Sequence, residues 1–543
     1  MATSAGGKSG SSLVLLTLGA GQFLMMLDSS VMNVSISTVA ADVGTTVTGI
    51  QTAITLYTLV MAMCMITGGK FGSIVGRRRA FAIGCVIYGA GSFTTAIAPS
   101  LGVLIIGWSV LEGVGAALIM PAIVALVASN FGPSERPRAY GLVMAAGAIA
   151  IAAGPLIGGL ATTYASWRYV FAGEVVVVIG ILALARRVQD APADGRATID
   201  VVGALLAAAG LGLAVFGVLR SSVFGWFLPK PGGPSWIGLS PVVWLVLGGL
   251  LVLWFFAIWE RHVEHRGGEP LVSLALFRVP QLTGGLSMFF FQYLVQAGLF
   301  FAIPLYLSVS LGLSAIDTGV RILPLSATLL LFAVGVPRFR PQANPRRVVR
   351  LGLFAMFVGI VVLFAAMDAD AGASIVTVPL LFVGAGIGAL SSQLGAVTVS
   401  SVPDERSPEV GGLQNTATNL GASIGTALAG SLLIAALTAS FLSGIEDNPD
   451  VPDDVVEQAN VQLAAGAPFM SDAQLQTALD DAGVTGATAE AAVGVNQQAR
   501  IDGLRVALVV LASIALVALF FSGCIPERQP GSAEPVQERA AVA

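Results

Sequence analysis

Apolar segments of about 20 residues recur along the whole chain, and this repetition constrains the fold more than any other feature. Each segment is long enough to cross a bilayer as a helix. Of the 543 residues, 55% are apolar and only 11% are charged, which is too few to coat a soluble protein of this size. The chain is therefore predicted to be an all-α polytopic membrane protein. Its weak net charge of −4 does not indicate a nucleic-acid partner.

Breaks in hydropathy predict fourteen transmembrane spans and one large polar segment. The polar segment, 440–500, is predicted to be a solvated, partly flexible loop, with a short amphipathic helix in the run "DAQLQTALDDAG" as the alternative. Residues 526–543 are predicted to be a disordered tail. The spans lie near 13–37, 47–69, 80–98, 101–128, 139–163, 169–187, 199–219, 241–259, 282–310, 318–336, 349–367, 374–401, 410–438 and 504–524.

The basic residues predict how these spans are oriented. If the N-terminus is inside, 21 of the 27 Lys and Arg fall in cytoplasmic segments. Cytoplasmic loops of membrane proteins carry such an excess. We therefore expect a multi-pass protein of the cytoplasmic membrane, with both termini in the cytoplasm and the acidic segment 440–500 outside.

The connection between spans 2 and 3 reads "GGKFGSIVGRRRA" and combines glycines with three arginines. Glycine allows a tight connection, and arginine holds a loop at the inner surface. Anchoring by positive charge alone would explain the arginines equally well. The residues of interest in this candidate gating loop are Gly69, Gly72, Gly76, Arg77 and Arg78.

Span 5 contains "GAIAIAAGPLIGGLATTY", in which small residues surround a proline. Gly154, Gly158 and Gly159 permit close helix contacts, and Pro155 removes a backbone donor and kinks the helix. A kinked helix of small residues suits an element that packs tightly and moves. Ordinary transmembrane packing is the alternative interpretation.

Together these motifs resemble the major facilitator superfamily, and most closely its 14-helix branch of drug:proton antiporters. The loop resembles the family pattern G-x-L-a-D-R-x-G-R-K, and span 5 resembles the antiporter signature G-x-x-x-G-P-x-x-G-G. "MMLDSSVMNVSIS" in span 1 and "GGLQNTATNLGASIGTAL" in span 13 are also similar to this branch. The resemblance implies a major facilitator fold with six-helix halves at 1–190 and 281–525, two inserted helices within 191–280, and a site near the midplane.

The sequence departs from the family pattern at positions that are charged either in the family or in this chain. In the gating loop, Ser73 stands where the family has an aspartate that helps to latch the inner gate. The resemblance therefore implies that the latch is weaker here or is built differently. In span 4 the family pattern R-x-x-Q-G-x-G-A-A has Ser109 in place of its arginine and Glu112 in place of its glutamine. Glu174 replaces an asparagine after the Trp-Arg pair.

Asp28, Glu112 and Glu174 are acids within predicted spans, where ionisable groups are costly and usually mark a pathway. A rise of about 1.5 Å per residue places Asp28 roughly 22 Å from the inner end of its span. Glu112 and Glu174 lie roughly 16 Å and 8–9 Å below the outer end of theirs. These acids are the candidates for proton coupling or substrate binding. The alternatives are a structural hydrogen bond for Asp28, a protonated substitute for glutamine at Glu112, and an interfacial position for Glu174.

Polar side chains in several spans form a second set of candidates, for the lining of a cavity. Gln292 and Gln296 share a helix face because they are four residues apart. Interhelical hydrogen bonds are the alternative role for this set. Its members are Asn33, Gln51, Gln292, Gln296, Gln414 and Asn415.

These features predict a secondary active transporter that exports lipophilic, cationic compounds such as drugs in exchange for protons. The sequence has no Walker-type phosphate loop, and its two histidines, His262 and His265, lie in a charged loop without further metal ligands nearby. We therefore expect no catalytic site, cofactor or metal. The expected partners are a small-molecule substrate, protons and the lipid bilayer, and the expected state is a monomer. The alternatives are export of an endogenous metabolite or lipid, uncoupled facilitation and, with less support, an enzyme or a sensor.

Overall fold

Long helices make up almost all of the protein in a computed structural model, which describes residues 5–45, 47–132, 134–190, 199–368, 371–403, 406–463 and 466–529. Within these ranges the β-structure is limited to one isolated bridge, between Trp236 and Leu239. The predicted all-α fold class is therefore confirmed.

Fourteen long helices, α1 to α14, match the predicted spans in number and order within the described residues. The first six are α1 (Ala5–Val34), α2 (Val47–Val75), α3 (Arg77–Ala96), α4 (Leu101–Asn130), α5 (Arg136–Tyr164) and α6 (Arg168–Ala185). The next two are α7 (Val201–Leu219) and α8 (Pro241–His265). The last six are α9 (Pro280–Ser310), α10 (Ala315–Phe339), α11 (Pro345–Ala366), α12 (Thr377–Val399), α13 (Ser407–Glu446) and α14 (Ala487–Phe521).

Hydropathy supports a membrane-spanning role for nearly all of these helices. Of the helices in the described chain, 13 are long and apolar enough to cross a membrane. The exception is α3, which begins with three arginines and contains glycine, serine and threonine in its second half. Helix α3 still packs against α4 and α6, so its neighbours hold it in the bundle.

The helices pack as two bundles with an added pair. Helix α1 packs against α5, and α3 packs against α4 and α6. In the second bundle α9 packs against α13, and α12 packs against α10 and α11. Helices α7 and α8 pack against each other, and α7 also contacts α2 of the first bundle. The domain limits at residues 190 and 280 remain predictions.

The two ends of the bundle differ in charge, and they are named here the basic end and the acidic end. The basic end carries Arg77, Arg78 and Arg79 at the start of α3, and Arg346 and Arg347 at the start of α11. The acidic end carries the polar segment between α13 and α14. The sequence predicts that the basic end faces the cytoplasm.

The acidic segment contains two short helices, Asp453–Gln462 and Asp472–Asp481. The second lies within the run "DAQLQTALDDAG", so the structure has the alternative, a short helix, where the sequence favours a solvated loop. A capping box formed by Ser471 and Gln474 begins this helix.

The first residues of the predicted disordered tail, 526–529, lie against the start of α11, where Glu527 pairs with Arg346 and the Gln529 amide donates to the Ala343 carbonyl at 2.8 Å. Residues 530–543 lie outside the described residues.

The second short helix is tied to α14 by a buried arginine. Arg500 of α14 is 2% exposed. It donates hydrogen bonds to the Asp472 carboxylate and, at 3.0 Å, to the Met470 carbonyl. This ion pair therefore holds the start of the helix Asp472–Asp481 against the bundle.

Replacing Arg500 with glutamine should release the helix Asp472–Asp481 from α14, because it removes both the ion pair with Asp472 and the hydrogen bond to the Met470 carbonyl. Hydrogen exchange in residues 471–481 is expected to become at least roughly tenfold faster, while exchange in α11 and α12 stays unchanged. The matched control is Arg505→Gln, whose nearest acid is Asp502 on the same helix. Equal protection of residues 471–481 in Arg500→Gln and the parent would show that this pair does not hold the segment.

Candidate functional site

The structure brings together the three acids that the sequence places at membrane depth. Asp28 of α1, Glu112 of α4 and Glu174 of α6 are 0%, 0% and 2% exposed. One carboxylate oxygen from each lies within 4.8 Å of the other two. We call these three side chains the acid cluster. They are far apart in the sequence, so only the packing of α1, α4 and α6 makes them one site.

Each member of the acid cluster accepts one hydrogen bond from a neighbouring side chain. The Trp108 indole donates to Asp28 Oδ1 at 2.7 Å. The Thr95 hydroxyl, whose one proton is shared with the Gly91 carbonyl at 2.9 Å, donates to Glu112 Oε1 at 3.3 Å. The Ser92 hydroxyl donates to Glu174 Oε2 at 3.0 Å. The second oxygen of each carboxyl is buried and, within the described residues, has no hydrogen-bond donor at normal geometry.

No ion pair between described residues includes a member of the acid cluster. Three negative charges at this spacing, away from water, would repel one another strongly. The second oxygen of each carboxyl can instead take up a proton or bind a small cation. The arrangement therefore favours bound protons or a bound cation over three bare carboxylates.

Close packing of α3 against α4 positions Glu112. The stretch Ile105–Glu112 of α4 is π-helical, a local widening that is frequent at functional sites. Gly91 of α3 leaves the space that Glu112 needs, because a Cβ atom on residue 91 would lie 2.6 Å from Glu112 Cγ. The indole of Trp108 stacks on the Tyr57 ring at a centroid distance of 5.1 Å, which orients it toward Asp28.

A separate, small cavity lies between the two bundles and has a volume of about 30 Å³. Its polar lining comes from Gln22, Gln292, Gln296 and Ser391, and none of the described lining residues is charged. The Gln292 amide donates to Ser391 Oγ at 3.3 Å, and the buried Oε1 atoms of Gln292 and Gln296 have no described donor. The remaining lining residues are Met26, Met144, Gly147, Ile151, Tyr293, Leu329 and Ile387.

Helix α1 stands between this cavity and the acid cluster. Gln22 and Met26 are four residues apart and share the face of α1 that lines the cavity. Asp28 follows Met26 by two residues, which places it roughly 200° around the helix, on the opposite face. The cavity and the acid cluster are therefore neighbouring sites on the two faces of one helix.

Residues 18–201 and 195–426 match the family model of the Major Facilitator Superfamily. The chain belongs to this superfamily. Among curated relatives, it is 28% identical to the "Tetracenomycin C resistance and export protein" of Streptomyces glaucescens, over 93% of this chain and 89% of that protein. It is 30% identical to the "Puromycin resistance protein pur8" of Streptomyces alboniger, over 80% of this chain and 84% of that protein.

A solved transporter structure has the same fold. The crystal structure of the human organic anion transporter MFSD10 (TETRAN) is similar with a TM-score of 0.56 and 12% identity, over 94% of this chain and 97% of that chain. The predicted resemblance and the predicted fold are thus confirmed, and the curated relatives are of the drug-export type. Membership indicates a multi-pass membrane transporter that binds small molecules, rather than an enzyme.

In this major facilitator protein, the glycines of α5 bring that helix against α1. A Cβ atom on Gly154 would overlap the Ser30 side chain, and one on Gly158 would lie 3.3 Å from Val31. Gly159 is buried in the same stretch. These contacts agree with the predicted close packing, and they hold the helix that carries Asp28. The side chain of the predicted kink residue, Pro155, lies outside the described residues.

The gating loop lies at the basic end and is held by the segment after α6. Gly76 has a φ of 96°, in the left-handed region, and a Cβ atom there would lie 2.9 Å from Asp190 Oδ2. The backbone N–H of Arg78 donates to Asp190 Oδ1 at 3.1 Å. Its guanidinium donates to the carbonyls of Arg186 and Val188. The other residues of the predicted loop are buried and helical: Gly69 and Gly72 lie in α2, and Arg77 begins α3, so the loop itself is shorter than predicted.

Of the other predicted cavity residues, the two whose side chains are described, Gln414 and Asn415, are not part of the lining described above. Gln414 and Asn415 are buried in α13, where the Asn415 amide donates to the Gly411 carbonyl at 2.8 Å within the helix. The side chains of Asn33 and Gln51 lie outside the described residues.

The sequence interpretation missed several residues that contact the candidate sites. Ser92 and Thr95 are hydroxyl-bearing residues one turn apart in α3, a spacing that indicates a shared face toward a polar partner. Trp108 lies one turn before Glu112. Gln22 is a lone amide in the apolar first half of span 1. The spacing of these residues could therefore have been noticed in the sequence. The sequence does not show, however, which neighbouring helix each of these helix faces contacts.

Proposed function

We propose that this protein exports lipophilic compounds, including drugs, in exchange for protons by alternating access. One observation carries the proposal: a buried cluster of three acids lies beside an uncharged cavity, and both sites share α1. The proposed location is the cytoplasmic membrane, with the basic end and both termini in the cytoplasm, and the proposed state is a monomer.

The acid cluster supports the proton part of the proposal. Its three carboxyls each accept one hydrogen bond from a hydroxyl or an indole, and no described cation pairs with them. A proton on a carboxyl removes its charge and allows it to stay in a dry site. Wetting of the cluster in another state would favour release of that proton. A movement of α1 changes the surroundings of Asp28. Substrate that binds at Gln22 and Met26 on the other face of α1 can therefore affect whether Asp28 holds a proton.

The cavity supports the substrate part of the proposal. Methionine side chains adapt to ligands of different shape, and Met26 and Met144 line the cavity together with the ring of Tyr293. The amides of Gln292 and Gln296 offer hydrogen bonds. The names of the two curated relatives, which refer to tetracenomycin C export and puromycin resistance, support antibiotics as substrates.

The separation of the two sites bears on the charge of the substrate. The sequence-based hypothesis of a cationic compound assumed that the acids would line the binding site. The acid cluster lies outside the cavity lining, so the cavity favours compounds that bind by hydrogen bonds and apolar contacts. A positive charge on the substrate is not required by this arrangement.

Purified protein in liposomes that contain a pH-sensitive dye tests the function. We expect a lipophilic antibiotic, from a panel that includes puromycin and tetracenomycin C, to accumulate when a pH gradient is imposed and to move protons the opposite way. Protein-free liposomes are the control. Uptake of the compound that does not depend on the pH gradient would favour the uncoupled facilitator. Chemical conversion of the compound by the protein in detergent would favour an enzyme.

A further inference from the structure

Lys70 near the end of α2 is a buried cation with two acidic partners. Its side chain is 5% exposed, and its Nζ atom lies 3.3 Å from Glu269 Oε2 and 3.7 Å from Glu409 Oε1. Glu409 is in the first turn of α13, and its side chain is 13% exposed. Glu269 lies in the connection between α8 and α9. One lysine thus joins three parts of the chain: the first bundle, the inserted pair with its connection, and the second bundle.

The other ion pairs between described residues stay within one bundle. Arg168 pairs with Asp42 in the first bundle, and Arg346 pairs with Glu527 in the second. Lys70 is therefore the ionic link between the bundles within the described part of the chain. Since it lies at the basic end, separating the bundles at that end must break its pair with the second bundle.

The backbones around Lys70 show that the bundles are closed against each other at the basic end. A Cβ atom on Gly411 would lie 2.9 Å from the Pro121 carbonyl oxygen, and one on Gly412 would lie 3.1 Å from the Met65 carbonyl oxygen. Pro121 and Met65 belong to α4 and α2 of the first bundle, whereas both glycines belong to α13. The ion pairs of Lys70 therefore form in a state in which the cavity is shut off from the basic end.

Glu269 is held in place by its own segment. The ring of the next residue, Pro270, fixes φ and stiffens the connection beside Glu269. Val272 is buried, and its N–H donates to Glu260 Oε2 of α8 at 3.2 Å. The connection is thus fixed to the inserted helix pair, and a change in the position of α8 would move Glu269 relative to Lys70.

We propose that Lys70, Glu409 and Glu269 form an inner latch that keeps the basic end closed, with Lys70 as its central positioning residue. The proposal rests on the alternating access of the proposed function. The latch takes the place of the charged contact that the gating loop loses at Ser73, whose hydroxyl donates to the Lys70 carbonyl at 2.7 Å and stays within its own helix. Through Glu269, the latch also makes the inserted helix pair part of the inner gate.

Burial explains why one lysine has a large effect on the closed state. Loss of its charge would leave Glu409 largely buried, with no cation at Oε1 and no described donor at Oε2. Such an unpaired acid destabilises the closed state but not the open state, in which water reaches it. Lys70→Met nearly keeps the length of the side chain and removes the charge, so it tests the latch with little change in packing.

The test measures access to the cavity from the basic end and needs neither substrate nor protons. Cys64, Cys85 and Cys524 are first replaced by alanine, and Met144→Cys places one thiol in the cavity lining. A membrane-impermeant maleimide is then added to everted vesicles, in which the basic end faces the added reagent.

We expect Lys70→Met and Glu409→Gln each to raise the labelling rate by roughly tenfold, and Glu269→Gln to raise it by roughly threefold. The double variant Lys70→Met/Glu409→Gln should label no faster than Lys70→Met alone, because both substitutions break the same pair.

Glu527→Gln is the matched control, because Glu527 pairs with Arg346 at 2.6 Å at the same end but within the second bundle. It should label at the parent rate, and Lys70→Arg should restore slow labelling. Labelling of both Lys70→Met and Glu409→Gln at the parent rate would overturn the latch. Parent-rate labelling of Glu269→Gln alone would overturn the part assigned to the inserted pair. Because the assay involves no transport, its result can contradict the latch without contradicting proton-coupled export. Loss of proton coupling would likewise leave the labelling result unchanged.

Discussion

Replacing Asp28 with asparagine or Glu112 with glutamine should abolish proton-driven export while the protein still folds and binds its substrate. An amide keeps the shape of each side chain but cannot bind and release a proton. Neither residue lines the cavity between the bundles, so substrate binding should change little. Each single variant is expected to lower gradient-driven transport by at least roughly tenfold, since each removes one member of a coupled cluster.

The measurement compares two kinds of transport in liposomes. Gradient-driven accumulation should be lost in both variants, whereas exchange of labelled for unlabelled substrate at equal pH should persist. Glu457→Gln is the control, because Glu457 is an exposed acid on the helix Asp453–Gln462, far along the chain from the acid cluster. Parent-like accumulation in both Asp28→Asn and Glu112→Gln would show that protons are not coupled through this cluster.

Glu174 distinguishes a coupled cluster from two independent acids. It accepts a hydrogen bond from Ser92 and lies within 4.8 Å of the other two carboxyls. If the three acids share their protons, Glu174→Gln should shift the pH dependence of the transport rate rather than abolish transport. An unchanged pH profile would show that Glu174 does not share protons with the other two acids.

Much of the fold follows from hydropathy, because every backbone group within a bilayer must be satisfied inside a helix. The helix Asp472–Asp481 was also predictable, since "SDAQ" at residues 471–474 has the sequence of a capping box. The depth of Asp28 and Glu112 could be counted along their spans. That counting cannot show that both carboxyls meet Glu174, because the rotation of each helix depends on contacts with its neighbours.

The separation of the cavity from the acid cluster was not predictable in the same way. Hydropathy shows that Asp28 is within α1, but it does not show that Gln22 and Met26, rather than Asp28, face the second bundle. Lys70 was likewise unremarkable in the sequence, where it is one basic residue among several near the gating loop. Glu269, one of its partners, is separated from it by 199 residues, a distance over which no local sequence pattern carries information.

Adding a single methyl group at Gly141 should stop export by preventing closure at the basic end. Gly141 of α5 lies against α10, and a Cβ atom there would overlap the Ala333 carbonyl oxygen. This overlap is with backbone, so no side-chain rotation relieves it, and the two bundles must separate at this point. Gly141→Ala is therefore expected to reduce transport by at least roughly tenfold and to raise labelling of Met144→Cys from the basic end.

Gly180→Ala is the matched control, because Gly180 of α6 has no neighbouring atom within 4 Å of the added Cβ atom. Alanine has a higher helix propensity than glycine, so this variant should be at least as stable as the parent and should transport normally. Both variants add one methyl group to a glycine. They differ in whether the backbone of a second helix occupies the position of that methyl group. If Gly141→Ala transports as well as Gly180→Ala, the contact between α5 and α10 is not formed during transport, and the closed basic end is not a step of the cycle.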